Sequence, residues 1–131
     1  DGPMIEEVVE GIQRLGKLPA CDGVLSGYMG SADIGHAILA TVGRVREARP
    51  GAFYCCDPVI GDVGRGVFVR SGIPEFMKGQ AVPAADVITP NQFELEYLSG
   101  LPAGTLEEAR QAIAAVHALG PRVILVTSLL T

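Results

Sequence analysis

The chain has 131 residues, 48% of them hydrophobic, with no tryptophan and 10 basic against 15 acidic side chains, a net charge of −5. That length supports one domain with an aliphatic core, and the acidic balance with scattered basic residues excludes a surface built to displace counterions from nucleic acid. No apolar run approaches the roughly 18 residues of a membrane span, and the three cysteines, Cys21, Cys55 and Cys56, follow neither a disulfide framework nor a metal-ligand spacing. A cytoplasmic protein without membrane contact is expected.

In chain order, Ile5, Val8, Val9, Ile12 and Leu15 recur at helical spacing and predict a helix over Met4–Leu15, stopped at Gly16. Gly23–Ser26 is a short apolar run that reads as a buried strand. Ser31 is placed to cap a second helix whose inward stripe is Ile34, Ala37, Ile38, Thr41, Val42 and Val45, with Arg44, Arg46 and Glu47 facing out; Pro50-Gly51 closes it. Ala52–Cys56 is the next strand, ended by Asp57-Pro58. Residues 61–72, with four glycines, read as a flexible loop, and a weaker helix is expected over Ile73–Gln80.

Val87–Thr89 is the third strand, stopped at Pro90, and Asn91–Leu98 a helix ended by Ser99-Gly100. Thr105 and Glu108 form a capping-box pattern for a helix reaching about Leu119, with Leu106, Ala109, Ile113 and Val116 inward. Arg122–Val126 is the fourth strand. This alternation predicts an α/β fold, a doubly wound parallel sheet with helices on both faces. In such folds ligands bind at the carboxyl ends of the strands, which here carry Ser26-Gly27-Tyr28, Asp57, Thr89-Pro90-Asn91 and Thr127-Ser128.

Each candidate has two readings. A carboxylate at the mouth of a strand, Asp57, suits Mg²⁺, which prefers oxygen ligands and keeps several waters, but an Asp also opens turns before proline. Asn91 and Glu94 form an N-cap pattern needing no ligand, and the same helix start offers amides to an anion, with Glu94 able to organise a metal-bound water. Glutamine in place of Glu94 is expected to keep the cap and remove the charge. Thr89, Thr127 and Ser128 can contact a nucleotide or serve as ordinary strand and loop residues. Tyr28 can stack on a flat aromatic substrate or simply cover the sheet edge. The glycine loop lacks the G-x-x-x-x-G-K-[ST] pattern, so it is no Walker loop; a mobile cover is its functional reading. His36 and His117 read as surface residues, and Asp86 as structural at the opposite edge.

Taken together, Val24–Tyr28, Cys56-Asp57-Pro58-Val59-Ile60-Gly61-Asp62 and Asp86–Glu96 resemble the pyridoxal kinases of the ribokinase superfamily. The resemblance covers the whole chain, residues 1–131, as the central part of one kinase domain and less than half of it, so the ribokinase-like fold is expected to be incomplete. It implies ATP and Mg²⁺, with Asp57 and Glu94 by the metal and phosphates, Asn91 in the same N-x-x-E element, and Asp62 as a loop acid approaching the phosphates. It further implies Thr89, Thr127 and Ser128 bordering the nucleotide and Tyr28 on the pyridoxal side. The implied reaction transfers the ATP γ-phosphoryl group to the 5′-hydroxyl of pyridoxal, pyridoxine or pyridoxamine, in a parent expected to be a homodimer. The family's catalytic base, the Asp of a G-x-G-D motif, is absent from this sequence, so no catalytic residue is assigned and the chain alone is expected to be inactive. The alternatives are hydroxymethylpyrimidine kinase, with the same strand-end acid and N-x-x-E, and a non-catalytic nucleotide-binding fragment. A phosphoacceptor signalling domain lacks its acidic pair at Ser26-Gly27-Tyr28 and its lysine at Val126-Thr127-Ser128.

Overall fold

The computed structural model describes residues 1–130. Its first helix, α1 (Gly2–Arg14), starts where the Asp1 carboxylate accepts the Met4 N–H at 3.0 Å, and it packs along α2 (Ala32–Ala48). Between them lies β1 (Gly23–Ser26), with the predicted bounds. Ser31 caps α2 as expected, its Oγ accepting from the Ile34 N–H at 3.2 Å. The chain continues through β2 (Phe53–Cys56).

Residues 61–72 depart from the loop expectation. Gly61–Asp62 (β3) pairs antiparallel with Gly66–Val67 (β4) in a small hairpin. The approach at Gly61 leaves no room for a side chain, since a Cβ there would collide with the Gly66 carbonyl and sit 2.7 Å from the Phe93 ring. Glycine is therefore a packing requirement at this position as well as a source of flexibility.

Next comes one helical segment: α3 (Ile73–Phe76), a wide π-type turn (Met77–Ala81) and α4 (Val82–Ala84). It runs beyond the expected end at Gln80. Pro83 has no N–H and its ring would crowd the carbonyl one turn back; the widened turn, with the Val82 N–H donating to the Met77 carbonyl, accommodates it. Then follow β5 (Val87–Ile88), α5 (Gln92–Ser99), α6 (Leu106–His117) and β6 (Val123–Ile124). The capping box of α6 forms as predicted, Thr105 Oγ1 accepting from the Glu108 N–H at 3.2 Å and Glu108 from the Thr105 N–H at 3.0 Å. Leu106, however, is 56% exposed; the inward face is made by Ala109, Ala112 and Val116.

The four main strands form a parallel sheet in the order β1-β2-β5-β6. Register aligns Ser26, Cys56, Ile88 and Ile124 in one row and Leu25, Cys55, Val87 and Val123 in the next. Successive rows point to opposite faces. The first row faces a core containing Tyr54, Ile60, Ile73, Met77, Leu95 and Val116. The second faces out, with Leu25 77% and Val123 53% exposed. Sequence order and strand order run in the same direction, so right-handed crossovers deliver their helices to one side. The described residues thus supply one covering layer of the α/β sheet; the expected second layer is not among them.

Inside that layer Tyr54 is fully buried, its hydroxyl 2.6 Å from Ser26 Oγ. Burial pushes the phenol above its ordinary value, and the serine supplies the partner that a buried hydroxyl requires.

Candidate functional site

The ladder continues past the strands and fixes which residues meet at their carboxyl ends. The Asp57 N–H donates to the Ser26 carbonyl at 2.9 Å, the Thr89 N–H to the Cys56 carbonyl at 3.3 Å, and the Thr127 N–H to the Pro90 carbonyl at 3.0 Å. Asp57, Thr89 and Thr127 therefore stand along one edge, as their spacing predicts. Tyr28 lies beyond β1 and is 61% exposed; Thr127 and Ser128 are exposed as well.

Asn91 and Glu94 knit this edge together. The Asn91 side-chain oxygen accepts from the Glu94 N–H at 2.9 Å, and Glu94 Oε2 accepts from the Asn91 N–H at 2.9 Å, a complete capping box. Both residues also reach across 30 or more positions of sequence. Glu94 Oε1 accepts from the Ile60 N–H at 3.0 Å, and Asn91 Nδ2 donates to the Gly61 carbonyl at 2.8 Å. The segment after Asp57 is thereby clamped onto the start of α5.

Glu94 is only 4% exposed. Burial pushes its carboxyl above the ordinary value, the backbone amides of Asn91, Ile60 and Gly61 work against that shift, and the Asp57 charge adds to it. The Ile60 amide that Glu94 holds lies three residues after Asp57, so the clamp keeps the two acids near one another. They are not equivalent: both Glu94 oxygens hold backbone amides, whereas the Asp57 carboxylate, half-buried, makes no side-chain hydrogen bond among the described residues. Asp57 thus offers oxygens without a protein partner among the described residues, of the kind Mg²⁺ takes. No group of three or more His, Cys, Asp or Glu suited to a metal occurs among the described residues.

Asp62 is the exposed residue of β3, beside the buried Gly61, and its Oδ1 accepts from the Val63 N–H at 2.8 Å. Asn91 holds the adjacent Gly61 carbonyl and so ties this end of the hairpin to the start of α5. One contributor lies outside the sequence reading. Gln92, buried at the start of α5, accepts the Leu130 N–H on its Oε1 at 2.8 Å and so brings the stretch after β6 against the same helix start. A contact across 38 residues leaves no periodic signal; a buried glutamine needing a partner is its only physical trace.

A sequence profile of the phosphomethylpyrimidine kinase family matches residues 8–130. Pyridoxal kinase PdxY of Rubrobacter xylanophilus is 59% identical over 125 residues, covering 95% of this chain and 43% of the relative. PdxY of Deinococcus radiodurans is 55% identical over 133 residues, covering 96% and 44%. Among solved structures, pyridoxal kinase from Leishmania donovani in complex with ADP and pyridoxamine superposes with a TM-score of 0.89 at 32% identity, covering 98% of this chain and 45% of that one. The chain spans less than half the length of these relatives.

Proposed function

Because the chain belongs to the phosphomethylpyrimidine kinase family, we propose that it forms the nucleotide-side part of an ATP-dependent kinase that phosphorylates the 5′-hydroxyl of pyridoxal, pyridoxine or pyridoxamine. The observation that carries this reading is the Asp57 carboxylate, free of side-chain hydrogen bonds among the described residues, at the start of a segment that Glu94 clamps to α5. The identity to two PdxY proteins and the likeness to a kinase bound to ADP and pyridoxamine support it.

In this reading Asp57 would hold Mg²⁺ directly or through water, and Glu94 would supply charge to the outer ligand shell. When bound there, Mg²⁺ would supply charge neutralisation at the phosphates. Asn91 and Glu94 fix the position of the segment that carries Asp57 and Asp62, so the acids meet the phosphates without having to be reordered. Thr89, Thr127 and Ser128 border the nucleotide, Asp62 approaches the phosphates from the hairpin, and Tyr28 contacts the vitamer ring. No G-x-G-D occurs in the sequence, so the base for the hydroxyl is assigned to no residue here. We further propose a cytoplasmic, homodimeric parent; no helix among the described residues is long and apolar enough to cross a membrane.

The family description favours a second reading, a hydroxymethylpyrimidine kinase. A substrate panel on a longer protein containing this chain separates the two: pyridoxal turnover exceeding hydroxymethylpyrimidine turnover is expected, and the reverse replaces the first reading with the second. In the same protein Asp57→Asn should lower kcat at least about tenfold with an unchanged circular dichroism spectrum, since no protein hydrogen bond is lost. Unchanged turnover across a Mg²⁺ titration would reject the metal role.

A further inference from the structure

At the amino ends of the strands, opposite the Asp57 edge, the entry loops line an open cavity of about 510 Å³. Its lining includes Arg46 at the end of α2, Gly51 and Phe53 at the entry to β2, Ala85 and Asp86 at the entry to β5, and Arg122 before β6. The volume lies within the range of roughly 300–1,000 Å³ typical of small-molecule sites. One wall is tightly packed: a Cβ at Gly120 would lie 2.8 Å from the Pro83 carbonyl oxygen, at a φ of +140°.

The charges of the cavity are arranged unequally. Arg46 Nη2 donates to Asp86 Oδ2 at 2.8 Å and to the Ala84 carbonyl at 3.0 Å, and Asp86 Oδ2 also accepts from the Tyr54 N–H at 2.9 Å. Arg46 and Asp86 thus neutralise one another and are fixed, contrary to the outward position expected for Arg46. Arg122 is exposed and makes no close ion pair among the described residues, though its charge also acts on the Asp86 carboxylate. Its backbone is held, because the Arg122 and Val123 N–H groups both donate to the Asp86 carbonyl, at 2.9 and 3.1 Å. Arg46, Asp86 and Arg122 together leave one net positive charge at this open cavity, with Arg122 on a fixed root and the half-exposed Phe53 ring as an apolar wall.

We propose that this cavity binds a small organic anion, a phosphate monoester or a carboxylate, with the Arg122 guanidinium as its charge partner. A planar fork of donors suits both anions. Equilibrium dialysis of the 131-residue chain against labelled inorganic phosphate, and separately labelled benzoate, at constant ionic strength in chloride should give saturable binding of at least one. Arg122→Gln should weaken it about tenfold, and Arg110→Gln, on the exposed side of α6, should leave it unchanged. Binding of phosphate alone assigns a phosphate ester, and of benzoate alone a carboxylate. Saturable binding of neither, or equal weakening by both substitutions, overturns the site. A second readout needs no variant: the bound anion should slow phenylglyoxal modification of Arg122 and not of Arg110, read by mass spectrometry. Equal labelling with and without anion also overturns it.

Discussion

Glu94 shows how one residue can satisfy two readings of the same motif. Its spacing from Asn91 signals a capping box, and the box forms; the second carboxylate oxygen meanwhile reaches the Ile60 N–H. The sequence could announce the first bond, which is local, but not the second, whose donor is a backbone group 34 residues away. This second bond gives Glu94→Gln a stability cost that the cap alone does not predict. Glutamine has one acceptor oxygen, so its amide nitrogen would face one of the two N–H donors. Unfolding in urea should show a loss of about 1–3 kcal/mol, the cost of a buried donor left unpaired; an unchanged midpoint would mean that the amide finds another arrangement. Asp57, not Glu94, is therefore the cleaner place to test charge at the site.

At Asp86 the pH dependence has a defined sign. Burial raises its carboxyl, but the Tyr54 N–H, Arg46 and the charge of Arg122 outweigh burial, and the net position is below the ordinary 3.8. A folded-state value below the unfolded one contributes stability that is present above the unfolded value and lost as pH falls through the folded one. Urea midpoints measured between pH 6 and 3 should fall toward acid more steeply in the native sequence than in Asp86→Asn. Parallel curves would show that the Arg46 pair contributes nothing to stability.

Helix and strand order was legible at the scale of elements because apolar periodicity and capping residues are local: Ser31, Asn91 and Thr105 cap the helices as expected. The departures come from non-local contacts. The glycines of residues 61–72 signal freedom, yet Gly61 is also where the Gly66 carbonyl and Phe93 ring press closest. The hairpin depends on contacts with α5, which no short window of sequence contains. Leu106, apolar at a helix start, reads as core but is exposed, and the small Ala112 takes the buried place. The hairpin tip retains a measurable role. Arg65 lies over the Phe68 ring at 4.8 Å, and Arg65 and Arg70 are exposed, giving trypsin two sites in the proposed cover. In a longer protein carrying this chain, Mg-ATP with pyridoxal should slow cleavage at both, as a closed segment is withdrawn from the protease. Equal rates with and without ligands would leave the hairpin a fixed structural feature.

For the whole molecule, the alternation of elements made the parallel α/β sheet legible, while the coverage of its faces depended on strand order, which alternation alone does not specify. The order β1-β2-β5-β6 leaves Leu25, Phe53, Val123 and Leu125 exposed on one face, and Met4, Val8 and Leu15 form a second exposed apolar stripe along α1. A net charge of −5 provides some repulsion between copies, but it is spread over the surface and does not interrupt either apolar patch. Contiguous patches of this kind, next to the unpaired edges of β1 and β6, favour association. Sedimentation velocity on the 131-residue chain should therefore show species larger than the 13.7 kDa monomer, and Leu25→Lys should shift them toward monomer while preserving the circular dichroism spectrum. The same preparation should give no measurable pyridoxal phosphorylation, since the G-x-G-D base that the kinase resemblance requires is absent from its sequence. A monodisperse monomer at tens of micromolar would show that the bare face is tolerated in water. Kinase turnover by that verified monomer would require a base among the residues present and would overturn the assignment of this chain to the nucleotide side alone.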